Sequence, residues 1–171
     1  MILQNCPLCN SASTLFCEKP KHLVYKCDTC DGIFRPKDTF LTAEEEKEHY
    51  EKHNNDVFDE RYQAFVSPIV NAVLHDFTAE AKGLDFGSGT GPVIAKMLTD
   101  KGFQVQNYDL FFANEPSLLQ EKYDYVSCCE VMEHFHKPYK EFELLKSLLL
   151  PKGKLYCKTA IYHNQTPFEN W

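Results

Sequence analysis

Leu84-Asp85-Phe86 runs without a break into Gly87-Ser88-Gly89-Thr90-Gly91, and Pro92 then opens a helical stretch that reaches Lys101. Few folds accommodate a strand that ends in alternating glycines and continues at once as a helix. The glycines let the backbone turn sharply and come close to a ligand at the carboxyl edge of a sheet. The rest of the region repeats the theme. Gly102 stops the helix, Phe103–Tyr108 is strand-like and ends at Asp109, and Tyr123–Cys129 is a further strand. A helix is predicted over Tyr139–Leu149, and Pro151-Lys152-Gly153 turns into a last strand at Lys154–Thr159. Alternation of this kind predicts an α/β fold: a Rossmann-like, mostly parallel sheet with helices on both faces.

Two other regions precede this core, which is placed at 79–171. Residues 41–78 read as helical. Thr42-Ala43-Glu44-Glu45 is a capping-box sequence for a helix up to Lys52. Beyond Asn54-Asn55-Asp56, apolar residues from Phe58 to Phe77 recur at helical spacing, with Pro68 inside them. Ser67 could cap a new helix there, so two helices or one kinked helix are expected.

Residues 1–40 lack helical periodicity and form a small β-rich unit with too little core to fold unaided. Cys6-x2-Cys9 and Cys27-x2-Cys30 stand 17 residues apart. Each pair can present two thiolates from a tight turn, and two pairs complete a tetrahedral Zn2+ site, a zinc ribbon. The turns suit Pro7 and Gly32. The alternative is four buried free thiols. Four thiolates close the coordination shell, so the metal's role is structural. Cys17 and His22 have no ligand spacing. Cys128, Cys129 and Cys157 lie in apolar segments that read as buried strands, and reduced thiols point to a cytoplasmic protein. No apolar run approaches membrane-spanning length, and no signal-peptide pattern opens the chain.

Net charge is −7, with acid concentrated over residues 41–60. Nucleic-acid partners call for a basic face, so the charge argues against them and for a small-molecule partner. Oligomeric state is not legible in the pattern.

The glycine loop by itself admits a dinucleotide or S-adenosylmethionine (SAM). Asp109, 18 residues beyond Gly91, is placed to accept from ribose hydroxyls in either case. Asp85-Phe-Gly-Ser-Gly-Thr-Gly91 resembles the first signature of class I SAM-dependent methyltransferases, whereas the dinucleotide fingerprint spaces its last glycine differently. Tyr123-Asp-Tyr-Val-Ser-Cys-Cys-Glu-Val-Met-Glu-His134 resembles that family's fourth-strand segment, and Leu148-Leu-Leu-Pro-Lys-Gly-Lys-Leu155 its turn into the fifth strand. The match covers roughly residues 83–160, and known bacterial members also carry N-terminal Cys-x-x-Cys pairs.

The resemblance implies a SAM-dependent methyltransferase. Asp85, Phe86, Gly87, Gly89 and Gly91 would meet the methionine part of the cofactor, and Asp109 with Leu110 the ribose. Cys129 and Glu130 would lie beside the cofactor, and Tyr50, His53 and Tyr62 are candidate pocket-lining residues. Glu133 and His134 resemble residues near the acceptor in ubiquinone-pathway O-methyltransferases. They could act in catalysis, with His134 as general base, or could hold a divalent cation together with Glu130. Their bland role is to orient the following helix.

Two departures from the family pattern stand out. Thirteen residues between Asp109 and Tyr123 are too few for a helix and third strand, and the chain stops at Trp171 without a sixth and seventh strand. The expectation is a C-terminally truncated core. A small-molecule methyltransferase is the first reading. An RNA or protein methyltransferase that docks through the ribbon, and a non-catalytic binding protein of the same fold, are the alternatives.

Overall fold

The structure, a computed structural model, describes residues 4–19, 22–52, 55–163 and 168. It contains two four-stranded sheets. The first holds strands β1 (Gln4–Asn5), β2 (Ala12–Lys19), β3 (His22–Cys27) and β4 (Ile33–Phe34), all antiparallel and in sequence order. Its buried residues are few: Cys6, Ser13, Cys17, Val24, Tyr25 and Cys27. So small an apolar set cannot offset the ordering of about thirty residues without a further tie.

Helix α1 (Ala43–Glu51) follows, and the Thr42–Glu45 capping box is present in both directions. No residue of α1 is buried. Helix α2 (Glu60–Asp76) starts at the Asp59 side chain, which accepts from the Arg61 amide. It passes through Pro68 as one helix, so no second helix begins there. Ser67 bonds back to the Ala64 carbonyl at 2.8 Å and does not cap. Its inward face is Val66, Ile69, Val70 and Val73. Phe58 lies outside the helix, 71% exposed, under the Lys96 ammonium.

The second sheet is built from β5 (Lys82–Phe86), β6 (Gln104–Tyr108), β7 (Tyr123–Cys129) and β8 (Leu149–Lys158), all parallel, in the order β6-β5-β7-β8. Helix α3 (Val93–Thr99) connects β5 to β6, and α4 (Pro138–Ser147) connects β7 to β8. One face is covered by α2 and α3 through Val70, Val73, Ile94 and Leu98. The other is covered by α4 through Leu145, with Leu148, Val126 and Leu84. The expected Rossmann-like α/β sheet with helices on both faces is therefore present.

Two details differ from the sequence reading. The Pro151-Lys152-Gly153 turn lies inside β8: Tyr123 pairs with Leu149 and Tyr125 with Lys154, so the extra residues bulge out, with Lys152 at φ +70°. Cys157 is exposed, because β8 is an edge strand. Between Asp109 and Tyr123 the structure has a 3-10 turn at Pro116–Gln120 and, as the length of that segment implied, neither an α-helix nor a strand.

Gly83 shows how tightly this sheet is packed. A Cβ there would sit 2.1 Å from Cζ of Tyr125, whose fully buried ring is wedged between Phe77 and Phe103. The ring has no room to retreat. Gly83→Ala is expected to destabilise the core by ~1–3 kcal/mol, the usual cost of overpacking, read as a lower denaturation midpoint. An unchanged midpoint would mean that the ring moves freely.

Candidate functional site

The order β6-β5-β7-β8 makes the chain step from β5 to one side, then cross to the other. Such a reversal leaves a crevice at the carboxyl end of the strands between the loops that leave in opposite directions, and ligands of open α/β sheets bind there. Here the two loops are residues 87–91 after β5 and 130–135 after β7. They touch: a Cβ on Gly87 would come within 2.3 Å of the Val131 side chain.

The loop after β5 needs its glycines for conformation. Gly87 and Gly89 have φ of +75° and +63°, which L side chains rarely adopt. At Gly91 the reason is proximity, since a Cβ would fall 1.7 Å from the Asn55 carbonyl oxygen. The segment leading into α2 thus lies over the loop. Sequence reasoning did not single out Asn55 or Val131, because both act through backbone or apolar contact across long separations.

Asp109 joins the loop to the end of β6. Its Oδ2 accepts from the Gly89 amide at 2.9 Å, and its Oδ1 accepts from the amides of Phe111 and Phe112 at 2.9 and 3.1 Å. The Tyr108 carbonyl takes the amides of Gly87 and Ser88 as well. The carboxylate is 9% exposed. Its acceptor sites on Oδ1 are therefore largely taken by the protein, while Oδ2 retains capacity toward a ligand hydroxyl. Leu110, between these anchors, is 58% exposed.

Asp85 is buried below the loop, with Ser127 Oγ donating to its Oδ1 at 2.8 Å. Burial pushes its carboxyl up to about 6, with the Ser127 hydroxyl pulling the other way. Phe86 turns into the opposite core layer, stacked on Tyr108 at 5.3 Å. Cys129 is half-buried, and burial pushes its thiol up to about 12.

Glu130 has φ +54°, an uncommon conformation for a non-glycine residue and a form of strain that concentrates at functional sites. Burial, then the neighbouring Glu133, raises its carboxyl above the ordinary range, and Lys158 and His134 act against this. Glu133 and His134 stand on a 3-10 turn at Met132–His134. The rings of His134 and Tyr50 meet edge-on at 5.6 Å, and Phe111 lies 6.1 Å from Tyr50. Burial pushes the Tyr50 hydroxyl up to about 12, assisted by Glu46, Glu133 and Asp109. Tyr62 is similarly raised by burial, then by Cys129, Asp85 and Glu130. The two helices upstream of the sheet therefore do bring Tyr50 and Tyr62 to the crevice; His53 lies outside the described residues.

The proposed cation ligands Glu130, Glu133 and His134 do not converge as metal ligands do. Among the described residues the group whose ligand atoms all lie within 4.8 Å of one another is Cys6, Cys9, Cys27 and Cys30. Sγ of Cys6 lies 3.6 Å from that of Cys30, and Sγ of Cys9 lies 3.4 Å from that of Cys27. A tetrahedron with Zn–S bonds of about 2.3 Å requires sulfurs roughly 3.8 Å apart, so the donor set fits zinc with small adjustment. Each knuckle turns through a left-handed residue directly after its second cysteine, Asn10 (φ 62°) and Asp31 (φ 59°). Asn and Asp tolerate that conformation, while Pro7 lies within the first turn and Gly32 follows Asp31.

Residues 58–171 match the model of a family described as a methyltransferase domain. A comparison with curated proteins gave no match. No helix among the described residues is long and apolar enough to cross a membrane.

Protein purified under reducing conditions is expected to carry one zinc per chain by metal analysis; metal-free protein with intact thiols would refute the ribbon. Because burial raises the Cys6 thiol, zinc must displace a proton there, and affinity should fall as pH falls. Cys6→Ser is expected to unfold the first sheet while the second keeps its denaturation midpoint.

Proposed function

Because the chain belongs to the methyltransferase-domain family, we propose that it moves a methyl group from SAM to a small-molecule acceptor. The observation that carries this reading is the crevice at the strand reversal, where the Gly87–Gly91 turn, Asp85, Asp109 and the Glu130–His134 turn meet. Its chemistry suits a ligand that bears a cation at one end and a ribose at the other. Asp85 is a buried carboxyl that has no ion-pair partner among the described residues. Ionising it costs the folded state, and a ligand ammonium would remove that cost. Asp109 offers Oδ2 toward the crevice mouth, where ribose hydroxyls could donate.

SAM, when bound, supplies a methyl group made electrophilic by the adjoining sulfonium. The protein's part is to bind, orient and exclude water. Tyr50 and Tyr62 cover the crevice from α1 and α2, and Phe111 closes it beside Tyr50. His134 and Glu133 border the side open to an acceptor. His134 can take the proton that an N–H or O–H acceptor loses on methylation. The zinc site stays structural, since four thiolates leave no open position. The acid of the crevice and of α1 favours a neutral or cationic acceptor group over a polyanion.

Asp109→Ala is expected to leave the amides of Gly89, Phe111 and Phe112 without their acceptor. It should lower SAM affinity in calorimetry by roughly tenfold to a hundredfold, together with the thermal midpoint, since losing hydrogen bonds to a charged group costs about 1.5–3 kcal/mol. Unchanged SAM affinity would remove the cofactor assignment.

The pH dependence has a definite sign. The folded pKa of Asp85 is raised, so ionisation weakens the unliganded fold as pH climbs from the unfolded carboxyl range through about 6. SAM affinity should do the opposite, rising with pH across the same window, and Asp85→Asn should flatten it. His134→Ala and Glu133→Gln should each reduce methyl transfer to an acceptor found by tritium-transfer screening, with SAM affinity kept. Full turnover in both variants would return these residues to a structural role.

A further inference from the structure

A groove of about 780 Å³ runs between the first sheet and the core, walled by the Cys6–Cys9 knuckle, the connection after β4 and the start of α4. Arg35 and Lys37 line it on one side, Lys137 and Lys140 on the other. All four are exposed, and none forms an ion pair among the described residues. By contrast Lys26, Lys47, Arg61, Lys82, Lys96 and Lys154 each have a carboxylate partner. Asp38 is the acidic residue in the lining.

The N-terminus of α4 opens here without a side-chain cap on Lys137, and its dipole adds positive potential; the Glu141 carboxylate, accepting from the Lys137 amide, offsets part of it. Tyr139, 58% exposed, and Phe40, tilted against the His136 ring at 4.8 Å, supply apolar surface.

These charges exceed what the neighbourhood requires. A zinc held by four thiolates carries a net charge of −2, so two of the four cations can serve as its counter-charge, and Asp38 can take a third. The groove stays cationic in a chain of net charge −7. Against the zinc site and Asp38 the four cations retain one positive charge without an anion, to which the α4 N-terminus adds. Guanidinium, ammonium groups and a helix N-terminus together suit phosphate oxygens.

The volume is that of a small-molecule site. A long polyanion is disfavoured, because the His136–Glu46 pair at 2.8 Å brings the acidic α1 against the end of the groove. We propose that this groove binds a phosphorylated small molecule, its phosphate oxygens held by Arg35, Lys37, Lys137 and Lys140 and its organic part resting on Tyr139 and Phe40. The site is separate from the crevice and does not depend on methyl transfer.

Calorimetry on zinc-loaded full-length protein, with UDP and inorganic pyrophosphate as probes, tests this. Both should bind, UDP more tightly, with affinity that drops as salt rises. The double variant Lys137→Ala/Lys140→Ala should lose at least tenfold for both, and Lys137→Arg/Lys140→Arg should restore binding. Tyr139→Ala should weaken UDP and not pyrophosphate. Zinc content and SAM affinity should be unchanged throughout. Failure of the wild type to bind either probe would overturn the proposal, as would equal binding by the alanine variant. Loss of zinc in that variant would show that the cations serve only the thiolates. Tighter binding of a single-stranded RNA oligonucleotide than of UDP would mark a polyanion surface instead.

Discussion

The carboxylate of Asp109 is the tie on which the crevice depends. It holds Gly89 of one loop and Phe111 and Phe112 of the next, and so joins the turn after β5 to the turn after β6. Without it three partly buried amides would lack an acceptor, and left-handed Gly89 would lose the bond that sets its position. A residue expected to bind a ligand is thus also a structural latch. Its two roles share one physical origin: a carboxylate at the carboxyl edge of a parallel sheet attracts every donor near it, whether amide or ribose hydroxyl.

The parts added to the sheet are held by contacts of a different kind. Helix α1 buries no residue of its own, yet Glu46 reaches His136 and Tyr50 meets His134 and Phe111. The first sheet touches the core through Phe40 on His136 and through Phe16, which meets Tyr162 and Phe168 edge-on. These are small aromatic and polar contacts rather than a shared apolar core. Each is worth little alone. Elements joined in this way can shift relative to the sheet at modest cost, which suits surfaces that must admit ligands.

Charge is divided across the molecule. Carboxylates gather round the crevice, where burial and then their charges raise the Tyr50 and Tyr62 hydroxyls and the carboxyls of Asp85 and Glu130. Cations that form no ion pair among the described residues gather in the groove beside the cysteine knuckles. The net charge reports only the sum of the two, so it describes neither site.

The chain's local patterns carried the architecture. Helix periodicity, the Thr42–Glu45 box, the doubled cysteine spacing and the glycine loop between strand and helix are short-range properties, and each is legible without tertiary context. They led to the helices, the parallel sheet, the four-cysteine cluster and the crevice. Sequence alone did not decide whether Pro68 splits α2, because the surrounding apolar face keeps the helix docked. Nor did it reveal the bulge inside β8, which arises from pairing with Tyr123 and Tyr125 on another strand. The partners of Asp109, the contact of Asn55 with Gly91, the separation of Glu130, Glu133 and His134, and the gathering of Arg35 with Lys137 and Lys140 belong to tertiary structure alone. Each joins residues far apart in the chain or turns on a side-chain direction, and no periodicity in the sequence encodes which loop ends meet at the edge of a sheet.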